Sequence, residues 1–439
     1  MLSIYRNMFK IPDLRGKILF TLFIFFVYRL GTAIPVPGVS LSAVNELAQT
    51  GQQQGILGLL NLFSGGALNR FSVFSLGIMP YITAAIIMQL LAAVIPKLQA
   101  LQDEGQSGQK VITQWTRYIT ILLALLQSTG LTYLFAQGTL TAGISLIPNY
   151  TPARVALIVL TMTAGTAFIM WLGELITERG VGNGMSLIIF IAIASRLPAS
   201  FASIWANTVL SGRNGGVVIF GVFILVFLAL IVGIIYVEQG QRRIPIQFAK
   251  RVRGRRVLGG QSTYIPLKVN TAGVIPVIFA TSFMYFPVLI ATAIPTDKPF
   301  WASVRNWISV NIGNSNGTST FYIILLFILI IFFTYFYTAI QFDPVRQAEL
   351  IQRQGGFIPG VRPGSQTSKH LAHILNRITL PGSLFLAIVS VLPAIASAIF
   401  SVPVGFSGVS ILIVVGVALE TMKQVESQLT MRNYEGFLT

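Results

Sequence analysis

Ten mostly apolar stretches, each near the ~20 residues a helix needs to cross a bilayer, constrain this chain more than any other feature. They run over about 18–36, 71–95, 116–136, 153–173, 185–205, 216–237, 271–295, 319–340, 375–398 and 407–425. Backbone in lipid must satisfy its own N–H and C=O groups, so segments of this length cross as helices. The expected fold is an all-α integral membrane protein with ten transmembrane helices. Charge content agrees: 10% of the 439 residues are charged, against ~25% in soluble chains. A shorter apolar piece, about 56–64, cannot cross and reads as a half-inserted segment.

The first stretch imitates a signal peptide. Arg6, Lys10, Arg15 and Lys17 precede the apolar run, and Gly31-Thr32-Ala33 resembles a cleavage site. Arg29 interrupts the approach to that site, so the reading is a retained helix closed by the Pro35-Val36-Pro37-Gly38 turn. The chain carries 30 Lys and Arg against 13 Asp and Glu. Counted by alternate loops, most of the basic residues fall on one side when both termini are cytoplasmic. The reverse orientation would expose the very basic 238–270 loop outside. Ten spans divide into five plus five near 206–215, giving expected halves at 1–205 and 206–439. Because five is odd, similar halves would be inverted, with a pathway between them near the midplane.

Several chemistries are missing. There is no Cys, and His370 and His373 alone could supply imidazole, so neither a metal site nor a His-based catalytic site is expected. Gly105-Gln-Ser-Gly108-Gln-Lys110 has the wrong spacing for a phosphate loop, and Gly180-Val-Gly182-Asn-Gly184 lacks the dinucleotide pattern. Span interiors hold almost no acids, whereas ion-coupled carriers usually need one. Glu174 and Glu420 read as interfacial. A small-solute transporter or a lipid-modifying enzyme would need polar or acidic clusters that the sequence does not display. Whatever drives the protein comes from a partner.

Two features rise above a generic bundle. In the second stretch Pro80 is expected to kink or loosen the helix, and Ile78 and Ile82, four apart, share a face. Before it lies the glycine-rich Asn61-Leu62-Phe63-Ser64-Gly65-Gly66-Ala67-Leu68-Asn69-Arg70. A short piece at membrane depth is tolerated only against protein or a watery cavity, which makes it a candidate for something movable in a pore. Two basic loops, 238–270 and about 341–370, carry Gly and Pro turns suited to docking a large partner.

These stretches, with Ile176–Gly184, Glu238–Arg243, Gln261–Asn270 and Pro359–Gly364, closely resemble the SecY/Sec61-alpha family of protein-translocation channels. The likeness covers nearly the whole chain. Gln239 stands where many relatives carry Arg. The resemblance implies two inverted five-helix halves around an hourglass pore in the bacterial cytoplasmic membrane, within a SecYEG complex. Matched positions imply a pore ring of Ile78, Ile82, Ile189, Ile278 and Ile413, and a plug at about 61–71. They also imply a lateral gate between the second/third and seventh/eighth spans, with polar positions at Thr83, Gln127 and Asn270. Arg255, Arg256 and Arg362 match the docking surface for the SecA motor and the ribosome, ribosomal RNA included. Implied partners are SecE, SecG, SecA, the ribosome, signal-sequence-bearing polypeptides and membrane lipids, with no DNA. No cofactor is implied, and the chain is expected to be a passive channel whose energy comes from SecA or from chain elongation.

Overall fold

The computed structural model describes residues 11–40, 42–44, 61, 63–136, 147, 150–210, 212, 215–248, 251–253, 256–258, 262–293, 299–312, 319–400 and 407–435. Each of the ten apolar stretches contains a helix, and local chemistry sets its ends. Helix α1 (Pro12–Gly31) starts on a proline, with Asp13 in its first turn and Arg29 in its last. Both charges suit the helix dipole, and the proline's missing N–H belongs to a turn that has no internal acceptor. Helix α2 (Met79–Val94) ends where Ile95 takes an extended conformation before Pro96. The chain turns by 101° into α3 (Pro96–Asp103) and continues as α4 (Gln106–Ala136) and α5 (Pro152–Arg179). Asn183 caps α6 (Gly184–Ala194) by accepting from the N–H groups of Met185 and Ser186. A short break then separates α6 from α7 (Leu197–Trp205).

The C-terminal part continues with α8 (Gly216–Gln239), α9 (Ile275–Ala293), α10 (Pro299–Asn311) and α11 (Thr320–Gln341). Helices α12 (Pro344–Arg353), α13 (Ser365–Phe400) and α14 (Gly408–Glu435) complete it. Among the described residues, six helical segments are long and apolar enough to span a membrane, and a seventh if α2 and α3 count as one bent span. The remaining stretches fall on α1, where Arg15, Lys17 and Arg29 flank the apolar run, and on α4 and α9.

The structure differs from the sequence reading in two places. The second stretch is helical only from Met79, with Phe71–Ile78 in turns. Pro80 therefore sits in the first turn of α2, where its missing donor costs nothing, and the expected kink is absent. Most of the 56–64 piece lies outside the described residues. The second difference concerns the basic loops, which fold into a small sheet. Strand β1 (Gln241–Phe248) pairs antiparallel with β4 (Ser262–Lys268) and, on its other edge, with β5 (Gly356–Phe357). Between them, β2 (Arg251–Arg253) and β3 (Arg256–Leu258) form a hairpin. Alternation explains the sheet: Ile244 and Ile246 on β1 and Leu267 on β4 turn to one face, over Ile351, Ile358 and Leu371. Charged neighbours on the opposite face stay in water.

The largest core joins α1, α2, α5, α6, α8, α9, α11, α13 and α14. Helix α2 packs along α4, and α9 along α11, while α9 meets α2 and α4 across a thinner seam. Helix α8 buries the smallest share of its apolar window among the candidate spans, 17%, so most of it faces lipid or a partner.

Candidate pore, plug and docking surface

Ile78 closes the turn ahead of α2 and sets up its first backbone bond, Ile82 N–H to the Ile78 carbonyl at 3.1 Å. Gly77, immediately before it, has φ +57°, and a Cβ there would stand 3.0 Å from the Phe63 carbonyl oxygen. Only glycine allows both the left-handed turn and that approach. Ile189 lies on α6, Ile278 on α9 and Ile413 on α14. Ile78, Ile189, Ile278 and Ile413 are buried members of one contiguous cluster, and Ile82 packs against it. Phe63 and Ala67 belong to the same cluster. The glycine-rich segment and the five isoleucines thus share one apolar interior.

That segment is compact. Gly66 N–H donates to the Asn61 carbonyl at 2.9 Å, and Leu68–Arg70 form a single 3₁₀ turn. Ser75 Oγ donates to the Ala67 carbonyl, tying the segment to the turns before α2. Leu62 lies outside the described residues. Two neighbours hold the segment from the α1 side: Tyr28 Oη donates to the Ser64 carbonyl at 3.3 Å, and Arg29 Nη1 to the Gly65 carbonyl at 3.2 Å.

Thr83 on α2, Gln127 on α4 and Asn270 just before α9 are all buried. Thr83 satisfies its hydroxyl within its own helix, on the Met79 carbonyl. Asn270 Nδ2 donates to Glu238 Oε1 at 2.5 Å and to the Gly273 carbonyl at 3.0 Å, while its Oδ1 has no partner among the described residues. Glu238 enters the sequence reading only as the first residue of the Glu238–Arg243 stretch, with no role of its own. Its signal is visible, since it is an acid within two residues of the end of the most apolar span. Another acid proves to be paired rather than merely solvated: Glu174 on α5 accepts from Arg117 Nε on α4 at 2.7 Å.

On the sheet-bearing face, Arg362 is exposed at the tip of a turn held by Val361 N–H to the Ile358 carbonyl, 3.0 Å. Thr367 Oγ1 donates to the Arg362 carbonyl. A shallow groove beside it is lined by Gln366, Lys369, His370 and His373. Arg256 pairs with Arg253 across the β2–β3 hairpin, and Arg255 lies outside the described residues. Arg243 stacks over the Tyr264 ring at 4.8 Å. Arg346 on α12 makes a 2.7 Å ion pair with Asp103 on α3, joining two segments 243 residues apart.

Residues 72–422 match the family model of SecY. The chain belongs to the SecY family. It is 51% identical to the protein translocase subunit SecY of Streptomyces coelicolor over the full length of both proteins. Two solved structures share the SecY-type fold across 96% of each chain. One is a SecY protein whose plug domain stabilises the closed state of its translocation channel and maintains a membrane seal; it has TM-score 0.60 at 18% identity. The other is Sec61 in the canine ribosome–channel complex, with TM-score 0.59 at 16% identity. SecY-type architecture therefore accounts for the helical fold and for a multi-pass membrane protein.

Proposed function

We propose that this chain is the pore-forming subunit of a protein translocase in the bacterial cytoplasmic membrane, with both termini in the cytoplasm. As a SecY-family member it is a protein-translocation channel. Unfolded secretory polypeptides pass between two five-helix halves, 1–205 and 206–439, through the ring of Ile78, Ile82, Ile189, Ile278 and Ile413. The segment at 61–71 plugs the resting pore. The observation that carries this reading is the shared interior: Phe63 and Ala67 pack in one buried cluster with the isoleucines.

The physics suits the task. A translocated chain is chemically varied and must not stick, and isoleucines seal around any side chain without asking for a hydrogen bond. A dry constriction also resists ions, because stripping their water is costly. Transmembrane segments leave sideways between α2/α4 and α9/α11, where Thr83, Gln127 and Asn270 lie. Partition of an apolar helix into lipid is driven by about 25 cal/mol per Å² of buried apolar surface. SecE clamps the halves and SecG binds peripherally. The channel is passive: the SecA motor supplies ATP hydrolysis, or the ribosome supplies chain elongation. Both dock on the basic sheet face through Arg255, Arg256 and Arg362.

The test is reconstitution into vesicles with SecE, SecA, ATP and a secretory precursor. The chain has no native Cys, so cysteines at 78 and 278 have no thiol background within it. Protected precursor inside the vesicles, and crosslinks from both positions to a stalled chain, are the expected results. Crosslinks only to lipid at both positions would remove them from the pore.

A further inference from the structure

Arg29 has no role in the sequence reading beyond obstructing a false cleavage site, yet its guanidinium reaches the plug backbone and a second helix at once. Nη1 donates to the Gly65 carbonyl at 3.2 Å and to Ser195 Oγ at 3.1 Å. Ser195 is the residue that ends α6, the helix carrying Ile189, and its hydroxyl also donates to the Ala192 carbonyl at 3.0 Å. Gly65 lies against that same helix end: a Cβ on it would stand 3.1 Å from Ala192 Cα, at φ +65°. One cation thus ties together the end of α1, the backbone of the plug and the end of α6.

A basic residue in the last turn of a helix ordinarily serves its own helix carbonyls. Arg29 instead reaches a segment 36 residues away and another 166 residues away. Tyr28, one position earlier and fully buried, donates to the neighbouring Ser64 carbonyl. Successive helix residues point ~100° apart, so the pair grips two consecutive plug carbonyls from adjacent directions. The grip uses main-chain oxygens rather than side chains, so it is lost when the plug moves as a body.

We propose that Arg29 is the positioning residue that latches the plug, holding the Gly65 carbonyl against Ser195 so that plug release requires α6 to shift relative to α1. This inference rests on the reading of 61–71 as a plug. Displacement of α6 by a passing chain breaks the Ser195 contact, and the guanidinium, no longer anchored to α6, then holds the Gly65 carbonyl from the α1 side alone.

The test uses the full chain with its partner subunits in vesicles, with Ser64→Cys as a reporter. Ser64 is fully buried, so its modification by a membrane-impermeant thiol reagent reads plug release. Arg29→Gln should speed modification and raise resting ion conductance roughly tenfold, the scale of one charge-assisted hydrogen bond. Arg29→Lys should fall between the two, since an ammonium keeps the charge but lacks the planar fork. Ser195→Ala removes one end of the bridge without altering charge, and should produce a smaller increase in the same direction. If Arg29→Gln assembles poorly, Ser195→Ala decides, and an unchanged labelling rate there overturns the latch. Deleting 62–70 separates the two readings. A leak on deletion with no effect of Arg29→Gln leaves the plug and removes the latch, whereas no leak on deletion removes both.

Discussion

The centre of the molecule and its sheet-bearing face are built on opposite principles. Around the isoleucines, contacts are apolar, and the polar ones that hold the plug from α1 end on main-chain carbonyls, from Tyr28 and Arg29 to Ser64 and Gly65. On the sheet face the apolar contacts are underneath, among Ile244, Ile246, Leu267 and Ile358, and the outer surface is charged. A seal must accept any sequence, so it uses contacts with no direction. A docking surface must select a partner, so it uses directional charge over a rigid base. If this division is right, damage to the centre appears as leak, and damage to the face appears as lost drive.

The largest effect should come from removing the plug outright. Deleting 62–70 removes Phe63 and Ala67 from the cluster they share with the isoleucines, and resting conductance of the reconstituted channel should rise more than with any point substitution. ATP-driven transport should persist, because passage does not need the plug. Replacing Ile78 and Ile278 with Ser comes next. Each buried isoleucine contributes about 1.5–3 kcal/mol by leaving water, so the doubly substituted ring should leak at least about tenfold more while transport slows little. Transport falling further than leak rises in either experiment would break the comparison.

Arg362→Glu tests the other side. Arginine can make bidentate contacts with carboxylates on a motor or phosphates on ribosomal RNA. Each charge-assisted hydrogen bond is worth about 1.5–3 kcal/mol, so motor affinity should drop about ten- to a hundredfold. Insertion and SecE assembly should be unchanged, because many other basic residues maintain topology. Precursor import into vesicles at matched channel amounts measures the loss, and resting conductance should not move. Normal import with Arg362→Glu would show that this residue does not couple the motor.

What the sequence makes legible follows from locality. Each of the ten apolar stretches holds a helix because helix bonds close within four residues and apolar length can be read along the chain. The sheet is not legible, because β1 pairs with β4 and β5 across separations no periodicity signals, and because Gly and Pro in those loops suggest turns alone. The ring isoleucines are placed by resemblance, and only Ile78 and Ile82 carry a spacing argument of their own. Thr83, Gln127 and Asn270 are likewise placed by resemblance, and nothing in the order of residues links Asn270 to Glu238. Arg29 is visible as a charge in an apolar stretch, and its partners are not, because Gly65 and Ser195 reach it only after α1, the plug and α6 have packed.

The smallest effect expected is at the Asp103–Arg346 pair, which spans from α3 to α12 and so joins the two expected halves on the sheet face. Its side chains are 49% and 61% exposed, so water screens the attraction and ordering two long side chains offsets part of it. Exposed pairs of this kind contribute about 0.2–1 kcal/mol. Asp103→Asn and Arg346→Gln, alone and together, form a double-mutant cycle read by thermal stability and by the rate of precursor engagement. The expected coupling lies within that range and fades as salt shortens the Debye length below about 10 Å. Engagement should become slightly faster in each variant, because opening the seam between α9 and α2/α4 separates the segments this pair joins. A coupling well above 1 kcal/mol, unaffected by salt, would mean that the sheet face also restrains the gate, and the division between sealing centre and docking surface would then fail at this contact.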